Sequence, residues 1–248
     1  MRKAKTMKPK ITAAFLAIPL CSCSVVFNGI SKGGATVDEQ QWAAAFSADG
    51  LDNVTVFQTQ TAAMTIRGEA EEKTVSGTGD WHAKYVSGEA DVTTKSNSDG
   101  EVSQVQSKVR DDGNGGYTAT TTYEGETFET PFPGPANPAP SFLAFASDYA
   151  SYENVGGIYQ NELDSAEALK IVLGLDLGLE GGGEDGGLTG ISQLTFDEHC
   201  RVKEIFVSIK GPLLSITDES GKLTPIITID RCVVSYSFSS YGTTKLSD

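Results

Sequence analysis

The chain has 248 residues, with 19 Lys and Arg against 33 Asp and Glu, for a formal charge of −14. That excess of acid excludes a nucleic-acid binder, which needs clustered cations to neutralise a row of phosphates. An apolar fraction of 39% is above that of a disordered polyampholyte, and the length is enough to bury a core without staples.

Five of the basic residues (Arg2, Lys3, Lys5, Lys8 and Lys10) fall in the first ten positions, with no acid among them. An apolar run from Ile11 to Leu20 follows, and then Cys21 and Cys23. A basic segment before a short apolar one predicts a secretory signal peptide over residues 1–22. The alternative is a short membrane anchor. Extending the apolar span through Phe27 gives seventeen residues interrupted by Pro19, Ser22 and Ser24, whereas crossing takes about twenty.

Leu20-Cys21-Ser22-Cys23 resembles the lipobox of bacterial lipoproteins: an aliphatic residue, a variable one, a small one, then the lipidated cysteine. Cys23 fits better than Cys21, which is preceded by the bulky Leu20. The resemblance implies that Cys23 opens the mature protein and carries acyl chains. These would anchor it to the cell membrane or outer membrane, facing outside the cytoplasm. Ser24 is not the Asp that holds some lipoproteins at an inner membrane. The mature chain would carry 14 basic and 33 acidic residues, a formal −19, and an anionic lipid surface would repel it. Residues 23–35, with Asn28, Gly29, Gly33 and Gly34, read as the lipidated N-terminus and a flexible tether.

Residues 36–248 read as one domain in two halves, 36–130 and 141–248. Thr36-Val37-Asp38-Glu39 has a capping-box pattern, and Trp42, Ala45 and Phe46 share a face. Together they predict an amphipathic helix over about 37–48. Alternating Val, Thr, Ser and Tyr then predict strands at Asn53–Thr59, Ala63–Glu69, Val75–Val86, Asp91–Lys95, Val102–Val109 and Tyr117–Tyr123. Turn chemistry separates them and no helix intervenes, so the strands form an antiparallel meander. Pro131–Pro140, with five prolines in ten residues, reads as an extended crossing, with a PxxP-type ligand as the alternative.

Ser141–Tyr152 predicts a second helix, with Phe142, Phe145, Ala146, Tyr149 and Tyr152 along one apolar face. Strands follow at Gly157–Leu163, Leu169–Leu175, Ile191–Phe196, Val202–Ile209, Leu213–Thr217 and Pro225–Phe238, with a loop of seven glycines over Gly178–Gly190. On the last strand Cys232, Val234, Tyr236 and Phe238 point one way, and Val233, Ser235 and Ser237 the other.

With Cys21 removed and Cys23 lipidated, Cys200 and Cys232 remain. In an exported chain they are expected to form a disulfide, because antiparallel pairing of Val202–Ile209 with Pro225–Phe238 would bring them within bridging reach. Two free buried thiols, or a metal site, are the alternatives. Asp197, Glu198, His199 and Cys200 are consecutive and lack metal-ligand spacing, so a solvated turn accounts for them better. With two histidines, neither in a catalytic motif, and no nucleophile elbow, no catalytic residue, metal or cofactor is assigned and no enzyme is expected.

The order helix, meander, proline-rich crossing, helix, second antiparallel run, behind a lipobox, resembles the LolA, LolB and LppX-like lipoprotein-carrier half-barrel group. The expected class is therefore α+β: a large curved antiparallel sheet, half-barrel-like, with two short helices packed on one face. Two functions follow. One is a structural or interaction role for a membrane-anchored envelope or cell-surface lipoprotein. The other is carriage of a lipid or other hydrophobic ligand in the sheet's concave face. Trp42, Phe46, Phe142, Phe145 and Tyr149 are the residues expected to form the core or line that ligand. A filled interface points to the first function and an open cavity to the second. Strands rich in Gly, Ser and Thr favour a filled one, because they supply few large side chains for two separate apolar linings.

Overall fold

The computed structural model describes residues 29–67, 72–98, 100–146, 148–164, 167–168, 187–217 and 223–247. The expected signal peptide, Cys23, the expected strand Leu169–Leu175 and most of the glycine-rich loop lie outside them.

Helix α1 spans Glu39–Ala45. Its cap is Asp38 rather than Thr36: the Asp38 carboxylate accepts from the Gln41 N–H at 2.8 Å, and the Gln41 side chain accepts from the Asp38 N–H at 2.9 Å. The capping box thus lies two residues later than the sequence pattern indicated, and the Thr36 hydroxyl instead accepts from Asn154.

Eleven strands form a single sheet. The first run is β1 (Val54–Arg67), β2 (Glu72–Val86), β3 (Glu89–Ser98), β4 (Glu101–Asp111), β5 (Tyr117–Tyr123) and β6 (Glu126–Phe132). The second is β7 (Glu153–Val155), β8 (Ile158–Leu163), β9 (Thr189–Phe196), β10 (Val202–Thr217) and β11 (Leu223–Ser239). Spatially the order is β6-β5-β4-β3-β2-β1-β11-β10-β9-β8-β7, so each run is a meander and the two join where the first strand meets the last. Every neighbouring pair is antiparallel. The expected α+β class, with an open half-barrel-like sheet and two short helices on one face, is what the chain adopts.

Several strands are longer than their sequence signals. Asn53–Thr59 and Ala63–Glu69 merge into β1, because Gln60, Thr61 and Ala62 stay paired with Gly79, Thr78 and Gly77. Val202–Ile209 and Leu213–Thr217 merge into β10 through register shifts around Gly211, whose φ of 122° requires glycine. Strands β6 and β7 are the two sheet edges and are mostly exposed, so neither shows the buried alternation that marks a strand in sequence. Pro131 lies within β6 opposite Thr118, on an edge where its missing N–H costs no ladder bond. The rest of the proline-rich segment crosses beneath the β2–β3 turn, where the Ala136 N–H donates to the Gly88 carbonyl at 2.7 Å.

The second helix is broken. A 3₁₀ turn over Ala139–Phe142 leads into α2 (Leu143–Ala146), and a second 3₁₀ turn covers Tyr149–Ser151. The Asp148 backbone, at φ −119° and ψ 26°, is not helical, and the Ser151 hydroxyl donates to its carboxylate at 2.5 Å. The apolar face survives the break, with Phe142 and Phe145 buried.

The expected Cys200–Cys232 disulfide is not formed, and both thiols are free. Cys232 sits opposite Ile209, midway along β10, whereas Cys200 is in the turn before Val202. At about 3.3 Å per residue the strand from Ile209 to Val202 alone spans roughly 23 Å, against the roughly 7 Å limit for bridging.

Candidate functional site

Alternation along the strands gives the sheet an inner face, which carries the helices, and an outer face. Val56 and Phe238 are paired across β1 and β11, and Ala83 follows on β2, all buried on the inner face. Trp42 of α1 sits against this face with no exposed surface. Its ring centroid lies 5.2–5.7 Å from those of Phe46, Tyr149, Tyr152, Tyr159 and Phe196. The Trp42 indole N–H donates to the Phe145 carbonyl at 3.0 Å, which ties α1 to the proline-led segment. Phe142 meets Tyr236 and Phe238 of β11 edge-on at 5.3 and 5.2 Å. Such spacings are those of contacting rings, with no layer left between helix and sheet.

Trp42, Phe46, Phe142 and Phe145 are therefore brought together as one buried cluster, with half-buried Tyr149 packed at its rim. The Tyr149 hydroxyl donates to the Val37 carbonyl at 3.4 Å. Sequence reasoning missed the strand half of this cluster, Tyr159 and Phe196. Tyr159 donates to the Val37 carbonyl at 2.8 Å and accepts from the Val37 N–H at 2.6 Å, so its ring and its hydroxyl both fix α1. The available signal was the alternation in Ile158–Leu163, which puts Tyr159 and Leu163 on one side. Burial raises the Tyr152 phenol well above its usual value, reinforced by the charges of Asp148 and Glu167 and opposed by its hydrogen bond to Ser192. That bond is 2.7 Å long. Burial likewise pushes Tyr85 and Tyr236 up to about 12 and the Cys232 thiol up to about 11.

From Tyr236, packed under Phe142, and Trp81, packed against the core, the inner face continues over β1–β5 with a different composition. A cross-strand row runs Tyr236, Gln58, Trp81, Thr94, Val105, Tyr123. The next row holds Gln60, Gly79, Ser96 and Ser103, the last two hydrogen-bonded to each other. Apart from Val105 and Gly79, these two rows are hydroxyls, amides and aromatic rings, and Glu101 and Asp111 stand on the same face at the ends of β4. Asp80, Lys84, Asp91, Lys95, Lys108 and Arg110 have the opposite strand parity and lie on the outer face.

Away from the inner face, the turn after β9 is held by Asp197, as its sequence suggested. Its carboxylate accepts from the backbone N–H groups of His199 and Arg201 at 2.9 and 3.0 Å, and pairs with the Arg201 guanidinium at 2.7 Å. Burial would raise this carboxyl, but the Arg201 and His199 hydrogen bonds and the Arg201 charge outweigh it and hold it below the ordinary range. Among the described residues no three His, Cys, Asp or Glu side chains are placed to hold a metal ion. An open cleft of about 290 Å³ lies by the proline-rich crossing, lined by Asp49, Asp52, Ser87 and Pro135–Pro138. The Asp52 carboxylate is engaged there, accepting from the Ser87 N–H at 2.8 Å. No helix among the described residues is long and apolar enough to cross a membrane.

Residues 29–35, expected as part of the tether, are bonded to the body. Ile30 N–H donates to the Gln193 side chain, Gly34 N–H to the Gly157 carbonyl and Ala35 N–H to the Phe196 carbonyl, at 2.9, 3.0 and 3.0 Å. A Cβ on Gly34 would collide with the Phe196 carbonyl oxygen, so this close approach needs glycine.

Among the described residues, fold and site together define an α+β open half-barrel with an aromatic-packed, helix-covered part and a second part whose inner rows are mostly polar. No protein-family model and no curated protein matches the chain. Among solved structures it is similar to the crystal structure of a DUF1329 family protein from Desulfovibrio piger. The identity is 11% and the TM-score 0.26, over 85% of this chain and 94% of that one.

Proposed function

We propose that the chain is a non-enzymatic envelope lipoprotein with a structural or interaction role, held to a membrane by acyl chains on Cys23 and exposing its body outside the cytoplasm. The observation that carries the choice between roles is the interface under α1. Trp42 is fully buried among five rings at 5.2–5.7 Å, so an acyl chain would have to displace side chains to enter. A lipid carrier needs an apolar space of about 300–1,000 Å³ at that place. The anchor reading rests on Leu20-Cys21-Ser22-Cys23 behind the basic segment. Ile30, which is bonded to Gln193, lies seven positions after Cys23. An extended chain of that length reaches at most about 25 Å, so the body would stay close to the bilayer.

Fluorescent fatty-acid titration tests the choice of role. The full chain is expected to show no saturable micromolar binding. Saturable binding that is lost in Phe142→Asp, in a variant still folded by circular dichroism, would establish lipid carriage instead.

A further inference from the structure

Residues 240–247 follow β11 and cross the outer face of the first meander. Their root is pinned. The Tyr241 hydroxyl donates to the Val202 carbonyl at 2.7 Å, and the Arg201 guanidinium lies 4.5 Å over its ring. Around Tyr241 the chain turns sharply, with φ of 57° at Ser240 and 70° at Gly242. The Ser240 carbonyl closes the turn by accepting from the Thr243 N–H at 2.9 Å. A left-handed backbone at a non-glycine residue is held by its surroundings rather than by intrinsic preference.

Beyond the turn the segment is gripped by side chains and one carbonyl. The Asn53 carbonyl accepts from the Gly242 N–H and its side-chain oxygen from the Thr244 N–H, each at 2.9 Å. The hydroxyls of Thr244 and Thr55 are 3.1 Å apart. On β3 and β4, Asp91 and Arg110 take Ser247 together. The Asp91 carboxylate accepts from the Ser247 N–H at 2.6 Å, and the Arg110 guanidinium donates to the Ser247 carbonyl at 3.0 Å.

The sheet itself sets this grip. Arg110 pairs with Asp91 at 2.6 Å, and its other terminal nitrogen donates to the Ala90 and Val109 carbonyls at 2.8 and 2.9 Å. Burial would raise the Asp91 carboxyl, but its hydrogen bonds from Ser247 and Arg110 and the Arg110 charge outweigh that and hold it below the ordinary range. Both bonds to the Ser247 backbone are therefore charge-assisted at neutral pH, the stronger class.

Thr55, Lys84 and Asp91 stand in one cross-strand row. From Thr55 to Asp91 the segment thus passes over two strand spacings, about 10 Å, at right angles to the strands. Thr244 to Ser247 is a reach of about 10 Å when extended, so this stretch crosses with little slack. A chain running across strands cannot join their ladder, and Lys245 and Ser247 are exposed. Such a segment opens at a lower free energy than the sheet beneath it.

We propose that Gly242–Ser247 is a latch that opens and closes as one unit on the folded sheet, with Tyr241 as its fixed root and the Asp91–Arg110 pair as its catch. Closed, it straps the end of β11 to β3 and β4 across β1 and β2. Open, it bares Asp91 and Arg110 together on the outer face, still paired. The latch is independent of the helix–sheet interface, so the two claims fail separately.

Amide exchange read residue by residue by NMR on the full chain tests this. Ser247→Pro lies outside every strand and removes the N–H that Asp91 receives. Exchange at Gly242 and at Thr244 should then rise together, each at least about tenfold, while amides of β1 and β11 keep their rates within about twofold. Asp91→Ala should do the same, with Arg110→Met in its place if that variant does not fold. Trypsin supplies a second readout, because cleavage after the exposed Lys245 follows the open population. It should quicken at least about tenfold in Asp91→Ala or Arg110→Met. Unchanged exchange at Gly242 and Thr244 in Ser247→Pro would mean separate contacts rather than a unit, and would overturn the proposal. A rise that spreads into β1 and β11 would make the segment part of the sheet and overturn it as well. Cleavage after Lys245 at the same rate with and without the Asp91–Arg110 pair would show that the pair is no catch.

Discussion

Replacing Trp42 by alanine asks directly whether the aromatic interface is a packed core. The side chain has no exposed surface and touches five rings, with its indole N–H on the Phe145 carbonyl. Truncating a buried Trp to Ala costs about 3–5 kcal/mol, from lost transfer energy plus the cavity left behind. Trp42→Phe keeps most of the ring but leaves the Phe145 carbonyl without its donor, at a cost of about 1–3 kcal/mol. Urea unfolding followed by circular dichroism reads both. With a slope of about 2 kcal/mol/M, Trp42→Ala should lower the midpoint by roughly 1.5–2.5 M at unchanged slope, and Trp42→Phe by roughly 0.5–1.5 M. A loss under about 1 kcal/mol for Trp42→Ala would mean that the ring lies in loose or fluid surroundings, and the packed-core argument would fall.

Other consequences can be checked separately. Denatured without reductant, the body should give two reactive thiols, Cys200 and Cys232. In the native state only half-buried Cys200 should label readily, and finding no reactive thiol would reinstate the disulfide. Cys232, Tyr85 and Tyr236 are acids raised by burial to about 11, 12 and 12, so the folded state favours their neutral forms. Their contribution to stability is full below their unfolded values, near 9 for the thiol and 10 for the phenols, and is lost as pH climbs toward the folded ones. Urea midpoints should therefore hold from pH 7 to about 8.5 and fall steadily above it, whereas a flat profile to pH 11 would contradict the burial. Gly34→Ala should release the segment at residues 29–35, seen as faster hydrogen exchange at the Gly34 position and at Ala35, while amides in β1 and β11 keep their protection.

The elements legible in the sequence were those with one buried face. The Trp42–Phe46 face, the Phe142–Phe145 face and the alternation of β11 all carry large apolar residues at the period of their element. The edge strands β6 and β7 could not be read this way, because their residues are mostly exposed and the signal is burial. Residue spacing placed the second aromatic face correctly but not the break at Asp148, whose non-helical backbone leaves no mark on the apolar spacing. The disulfide failed for a different reason. Cys200 lies in the turn before β10, and the register sets Cys232 opposite Ile209, seven residues into that strand, so the pairing of β10 with β11 does not bring the thiols together. The inner row from Tyr236 to Tyr123 was invisible because it crosses six strands and has no contiguous sequence. Only the register brings Gln58, Trp81, Thr94 and Tyr123 into line.

Mass spectrometry of the full protein extracted from membranes, run once under native and once under denaturing conditions, tests the account most directly. The denatured mass should be that of residues 23–248 plus covalent acyl groups, and the native mass should show no lipid bound in the body at stoichiometric level. A mature chain that starts elsewhere without acylation would contradict the anchor. A stoichiometric lipid lost on denaturation would contradict the packed core and make the protein a carrier.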